Sequence, residues 1–456
     1  MKRLFTFVFI IVALALSSIN TVFAENKTAI DLTKSSKITS SGSQNGGVLT
    51  DGNYSSKLNL KAGTKISVKN TTAFSSIYVI WDKPVSKWTL TINGMNYTYG
   101  ENGFLHEYIN LPYITNEVTI TIPDDGAILC DIYSFSTGET PAWVQKWGNP
   151  YEKADMLLLP THADDEFIFF GGTIPYYSGQ LGLKVQVAYL TEHWREPYRP
   201  HEMLNGLWAS GEKAYPVIGV FPDSLSETLD QAKKTIDFNQ AVEYYVKLIR
   251  EFKPSVIIGH DLKGEYGHGQ HMLSSNALTE ALEKSADKSF SPQTFERYGL
   301  WDVPKTYLHL YKNNAITMDW NKPLSNFNGK TAFEMAVYGY SFHISQQKWY
   351  KVRQVAGVYD CRQFGLYRTK VGEDVKKDDF MENITLTTDN SSSETDISKS
   401  DSSDDTSDIS SGSDVLISNK KNNNFENIII FVALISLIFI SLIIIQIIRR
   451  RNINKK

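Results

Sequence analysis

Cysteine is nearly absent: Cys130 and Cys361 are the only two in 456 residues. So few thiols exclude a disulfide-dense scaffold and a thiolate-bound metal cluster. In a secreted chain the two could still bridge the domains in which they are expected. A dominant charge is missing as well. The net charge of −4 provides no basic footprint for a phosphate backbone, so nucleic acid is excluded as an expected partner. Long uncharged apolar runs are confined to the two ends of the chain. Leu4–Leu16 follows Lys2 and Arg3 and precedes the small-residue site Val22-Phe23-Ala24. This pattern reads as a signal peptide over residues 1–24. Ile428–Ile448 is interrupted only by Ser436, Ser441 and Gln446, and Arg449–Arg451 follow. Its length and basic flank predict a transmembrane helix over 428–448 and a cytoplasmic tail over 449–456. The chain is thus expected to be single-pass in the cell membrane, with the membrane as a partner through this helix and the catalytic domain extracellular.

What is present divides the rest into three parts. Residues 25–140 carry short β-branched and aromatic runs: Ile77–Trp81, Trp88–Ile92, Met95–Tyr99 and Val118–Ile122. Asn93-Gly94 between the second and third is a hairpin signal. The pattern predicts an all-β sandwich module. Within it, Val48-Leu49-Thr50-Asp51-Gly52-Asn53-Tyr54-Ser55 resembles a segment of discoidin-type jelly-roll modules. That resemblance implies a glycan-binding role; the alternative is a structural spacer. Over residues 150–383 strand-like runs (Met156–Leu159, Val185–Leu190, Val217–Phe221, Val256–Gly259) alternate with helical patterns (Arg199–Gly211, Asp230–Phe252). This alternation predicts an α/β fold with a mainly parallel sheet covered on both faces. Residues 384–425 are rich in Ser, Asp, Thr, Lys and Asn without apolar periodicity, and read as a disordered stalk.

Two segments hold the chemistry. His162-Ala163-Asp164-Asp165-Glu166 follows the strand Met156–Leu159, and Tyr266-Gly267-His268-Gly269-Gln270-His271 follows Val256–Gly259. In open α/β sheets functional groups gather beyond the carboxyl ends of strands. His162 and Asp165, three apart, can face one point, and both are good ligands for a divalent ion, with Zn²⁺ favoured by ligand type. Asp164 would stand near that ion as a proton acceptor. Of His268 and His271, one imidazole could complete the ligand set and the other could donate to an oxyanion. Gly267 and Gly269 are expected to permit unusual backbone angles and close approach of a substrate. His193, His260 and His343 are expected to be rim or packing residues.

The first segment with Gly171-Gly172-Thr173, together with the second, resembles the signatures of the PIG-L (LmbE-like) de-N-acetylase family over roughly residues 150–370. The resemblance implies a Rossmann-like fold and metal-dependent removal of acetyl groups from N-acetylglucosamine-type sugars. Carried over by position, it implies His162, Asp165 and His271 as metal ligands. It also implies Asp164 as general base, His268 as oxyanion stabiliser and Tyr266 as a group that polarises the amide carbonyl. Ala163 stands where a proline is usual, and Gly269 and Gln270 where Pro and Asp are common. Without a carboxylate at 270 the protonation of His268 is open. The expected function is a zinc-dependent deacetylase acting on an extracellular glycan or glycolipid. The rivals are a surface glycan-binding protein with an inactive enzyme domain, and a metal hydrolase of another amide or ester.

Overall fold

The computed structural model describes residues 27–42 and 46–386. All of them fall within one compact unit, Met1–Thr387. The expected signal peptide, the transmembrane segment 428–448, the cytoplasmic tail and all but the first three residues of the stalk lie outside the described residues.

The first half of the chain forms one all-antiparallel sheet of seven strands: β1 (Lys37–Ser40), β2 (Leu58–Leu60), β3 (Lys65–Trp81), β4 (Trp88–Ile92), β5 (Met95–Tyr99), β6 (His106–Thr121) and β7 (Ala127–Phe135). Its order is β2-β7-β3-β6-β4-β5, with β1 also on β3. Asn93-Gly94 is the two-residue turn of a hairpin whose last pair is Ile92 with Met95. The long strands β3 and β6 pair along two stretches, with register shifts around Phe74 between them. At such irregularities a strand bends. The stretch Lys65–Lys69 holds β1 on its other edge, whereas Ser76–Trp81 holds β7. Burial alternates along the early part of β3 and becomes continuous from Ser76 to Trp81. There Ile77, Val79 and Trp81 enter one apolar cluster, while Tyr78 and Ile80 enter another with Cys130 and Phe135.

The second half builds a mixed six-stranded sheet from β8 (Met156–Leu158), β9 (Val185–Val187), β10 (Val256–Gly259), β11 (Lys305–His309), β12 (Ala315–Thr317) and β13 (Gln363–Thr369). The order is β12-β13-β11-β10-β8-β9. Strands β9, β8, β10 and β11 are mutually parallel, and β13 and β12 close the edge antiparallel. The helices are α1 (Asp165–Ile168), α2 (Arg199–Ala209), α3 (Leu229–Ala232), α4 (Phe238–Phe252), α5 (Gly269–Lys284), α6 (Pro292–Tyr298) and α7 (Ala332–Tyr340). A π-helical stretch, Ile174–Gln180, has Pro175 in its first turn. Met156, Leu158, Val256 and Ile258 face a core shared with α2 and α7. Leu157, Leu159 and Ile257 face the other core, against α4 and α5. Strands covered on both faces must be apolar throughout, which accounts for the uninterrupted Met156–Leu159 and Val256–Ile258.

The expected helix over Asp230–Phe252 is two helices. Asp237 caps α4, its side chain accepting the N–H of Gln240, so the chain turns before Phe238. Val217–Phe221 makes single parallel bridges to Ala188 and Thr191 and forms no full strand. The two halves pack together: the Leu105 N–H donates to Tyr215 Oη at 3.0 Å, Phe104 stacks on Tyr215 with centroids 4.2 Å apart, and His106 Nε2 meets His201 Nδ1 at 2.8 Å.

The expected membrane partnership and single-pass placement in the cell membrane are corrected here. Among the described residues no helix is long and apolar enough to cross a membrane. The longest, α5, has 16 residues and carries Glu280, Glu283 and Lys284. At 1.5 Å per residue it is about 24 Å long, short of a ~30 Å hydrocarbon core. Cys130 and Cys361 are both buried and unpaired, so no disulfide joins the halves through them.

Candidate active site

The parallel neighbours β8 and β10 end side by side, so the loops that follow them meet above the sheet. After β8 the chain runs through Pro160 and Thr161 to His162 and then into α1. The Asp165 carboxylate folds back over this turn, and its Oδ2 accepts the His162 backbone N–H at 2.7 Å. After β10 comes His260, then a loop to His268, which is the N-cap of α5.

Three donor atoms form a near-equilateral triangle. His162 Nδ1 lies 3.1 Å from His271 Nε2, and Asp165 Oδ2 lies 3.3 Å from each. All three side chains are buried. The outer partners of the rings decide where their protons sit. Gln270 Oε1 accepts the Ser224 N–H at 3.2 Å, and Gln270 Nε2 donates to the Pro222 carbonyl at 2.9 Å, so the amide orientation is determined. His162 Nε2 therefore donates to Gln270 Oε1 at 2.8 Å, leaving a lone pair on Nδ1. His271 Nδ1 donates to Glu265 Oε2 at 2.8 Å, leaving a lone pair on Nε2. Two lone pairs and a carboxylate oxygen thus converge, an arrangement that calls for a cation. A tetrahedral ion with bonds of about 2.0–2.1 Å separates its ligands by about 3.3–3.4 Å, which matches this triangle. The residues present fit a divalent metal ion.

Burial raises the Asp165 carboxyl, but the imidazoles of His271 and His260 outweigh it and hold this group well below the usual carboxylate range. Asp164 beside it is opposite in character. Burial pushes its carboxyl up to about 7, against the pull of the Arg199 guanidinium 3.8 Å away. Its backbone sits at φ 124°, ψ −26°, outside the regions ordinary L residues occupy. Glu166 Oε2 holds it there by accepting the Asp164 N–H at 2.8 Å, while Arg199 donates to the Ala163 carbonyl.

His268 has its ring centroid 4.7 Å from that of His162 and 4.6 Å from that of His271. Its Nδ1 accepts the Gln270 backbone N–H at 3.2 Å, so the neutral ring carries its proton on Nε2. Burial, helped by His162 and His271, lowers its pKa to about 2. This answers the question raised by the missing carboxylate at 270. The Gln270 side chain serves His162 and does not act on the His268 ring. Tyr266 is 38% exposed at the mouth, with its hydroxyl 3.3 Å from that of Tyr350. His162, Asp164, Asp165, Tyr266 and His268 line one pocket of about 160 Å³, together with Arg199, Asp223 and Gln346. His271 does not line it and is wholly buried.

Several residues emerge only in the structure. His260, expected as a rim or packing residue, takes the packing role and is wholly buried: its Nδ1 donates to Glu265 Oε1 at 2.9 Å and its Nε2 accepts the Thr161 N–H at 3.0 Å. His343, likewise read as a packing residue, is buried and pairs with Glu166 Oε1 at 2.8 Å. Glu265 stands one residue before the second motif, outside the pattern that motif presents; its acidic side chain beside a His-rich run is the available signal. The expectation for Gly269 needs correction. Its backbone is not left-handed, and the close approach there is to the carbonyl of Thr228 rather than to a substrate.

The family model described as "PIG-L: GlcNAc-PI de-N-acetylase" matches residues 157–282. A 1D-myo-inositol 2-acetamido-2-deoxy-alpha-D-glucopyranoside deacetylase of Catenulispora acidiphila is 28% identical over 185 residues, covering 35% of this chain and 56% of that protein. One from Nocardia farcinica is 29% identical over 178 residues, covering 33% and 56%. The chain therefore spans little more than half the length of these relatives. An N,N'-diacetylchitobiose deacetylase structure from Pyrococcus horikoshii covers 44% of this chain and 74% of its own, at 19% identity and a TM-score of 0.32.

Proposed function

Since residues 157–282 form a PIG-L family domain, we propose that this protein is a metal-dependent hydrolase that removes acetyl groups from N-acetylglucosamine-type sugars. The observation that carries the proposal is the triangle of His162 Nδ1, His271 Nε2 and Asp165 Oδ2 with edges of 3.1–3.3 Å, beside a pocket that Asp164 also lines. His162, Asp165 and His271 would hold the ion, with Zn²⁺ favoured by two imidazoles and a carboxylate. When bound, the ion supplies Lewis-acid charge and lowers the pKa of water at neutral pH.

The chain's own groups divide the remaining work. Asp164, beside the ligands and lining the pocket, takes the proton of the attacking water and returns it to the departing amine. The products are acetate and a free amino sugar. His268 donates from Nε2 to the oxygen that becomes negative when the carbonyl carbon is attacked. Tyr266, at the mouth, polarises the amide carbonyl with its hydroxyl. The same proposal divides the chain into a β-sandwich module over 25–140 and a Rossmann-like catalytic domain over 150–383. The parallel run β9-β8-β10-β11 and the two-part pairing of β3 with β6 support that division.

The test is acetate release from a panel of N-acetylated amino sugars and their oligomers, with and without a chelator. Release that stops on chelation and returns with zinc supports the reading. Release that persists without metal, or none from any N-acetylated sugar, overturns it.

A further inference from the structure

Behind the proposed ligand triangle lies a carboxylate that the reaction does not use. The Glu265 side chain is wholly buried, and four donors converge on it. Oε1 accepts from His260 Nδ1 at 2.9 Å, from the Asp261 N–H at 3.0 Å and from His309 Nδ1 at 3.1 Å. Oε2 accepts from His271 Nδ1 at 2.8 Å. Three imidazoles on one carboxylate come from three places: the end of β10, the start of α5 and the end of β11. His309 has an acceptor near its other nitrogen too, the Asp360 carbonyl at 3.0 Å from Nε2. The Glu265 backbone sits at φ +54°, a conformation that glycine adopts without cost and a side chain does not. A glycine would relieve the backbone and would remove every one of these contacts.

We infer that Glu265 is the positioning residue of the metal centre, holding His271 in the tautomer and orientation in which Nε2 faces His162 and Asp165. The inference rests on the proposed metal site and adds to it a residue that touches neither substrate nor ion. The same carboxylate binds His260, whose ring stacks on that of His271 with centroids 4.2 Å apart. His271 is thereby fixed by a hydrogen bond at one edge and by a ring on its face. A glutamine at 265 cannot replace the carboxylate. Whichever way its amide turns, an NH₂ group meets an imidazole N–H, either that of His271 or those of His260 and His309.

The test compares zinc affinity of the full chain and of Glu265→Gln by competition with a chromogenic chelator, alongside the visible spectrum of the cobalt-loaded proteins. Loss of an outer partner of a ligand histidine weakens metal binding about 10- to 100-fold, and that loss with an altered cobalt spectrum is expected. Zinc affinity of the variant equal to wild type overturns the role of Glu265 and leaves the deacetylase reading intact. A wild-type chain that takes up no zinc overturns the site reading itself. Should the variant fail to fold, ¹⁵N NMR of the metal-free wild-type chain decides. His271 is expected with its proton on Nδ1, and a proton on Nε2 refutes the inference.

Discussion

Asp164 combines a buried carboxyl raised to about 7 with a backbone at φ 124°. Sparsely populated backbone conformations cost about 1–3 kcal/mol and persist only where neighbours over-determine them. Here the neighbours are Glu166, which accepts the Asp164 N–H, and Arg199, which grips the carbonyl before it. Asp164→Asn keeps the shape, tolerates the backbone and removes the proposed base. Turnover should fall about 10²- to 10⁴-fold while zinc uptake stays at the wild-type level; a variant with near wild-type acetate release would strip Asp164 of its role. Gln270→Ala should do the reverse. It frees His162 Nε2, so zinc binding should weaken about tenfold or more, which a chelator titration would reveal. The spacing of His162, Asp164, Asp165, His268 and His271 made these residues visible in the sequence as one site. The outer partners were not visible in that way. Gln270 reaches His162 across 108 positions and Glu166 reaches His343 across 177, and no local pattern encodes such contacts.

At the scale of elements, α5 is where the second motif becomes geometry. Gly267 and Gly269 flank its N-cap and differ in what they tolerate. Gly267 has φ +93° and open space where a Cβ would lie. An alanine there meets backbone strain alone, about 1–2 kcal/mol. At Gly269 a Cβ would lie 2.1 Å from the Thr228 carbonyl oxygen and 2.7 Å from Ser226 Oγ. The Gly269 N–H already donates to the Ser226 carbonyl at 2.7 Å, so the helix start cannot draw away without losing that bond. Gly269→Ala should therefore displace His268 and His271 and cost both zinc affinity and stability, by more than Gly267→Ala. Urea melts and zinc titrations of the two variants check the order; if Gly267→Ala proves the worse, the packing argument for α5 is wrong. Both hairpin strands β4 and β5 and the parallel strands β8 and β10 were legible because alternation or uniform apolarity matches how many of their faces are covered. The break before α4 was not, because apolar spacing runs through it and only the Asp237 cap interrupts the helix.

For the molecule as a whole, the junction of its halves carries a second kind of buried acid. Glu212 follows α2 and is fully buried. Its Oε1 accepts the N–H groups of Lys213 and Ala214 at 2.9 and 3.0 Å. These residues belong to a strap: Lys213 O accepts the Gly148 N–H, and Tyr215 N–H returns to the Gly148 carbonyl. Tyr215 in turn carries Leu105 and Phe104 from the loop that leads into β6 of the first sheet. Burial outweighs the two N–H bonds and pushes the Glu212 carboxyl from the ordinary 4.5 up to about 7. A folded pKa above the unfolded one means that the folded state holds the proton more tightly. The group's contribution to stability is complete below about 4.5 and is lost as pH rises through about 7, to a total of about 3 kcal/mol by order of magnitude. Asp131 on β7, raised to about 7 by burial, acts with the same sign. Asp165 and Glu265, held low by their imidazoles, act with the opposite sign and are lost as pH falls. Glu212→Gln keeps the accepting oxygen and abolishes the charge. Melts of the metal-free proteins should therefore coincide near pH 4.5. By about pH 8 the variant should be the more stable by about 1–3 kcal/mol. A variant less stable than wild type at pH 8 would mean that the Glu212 charge itself, and not only its oxygen, holds the two halves together.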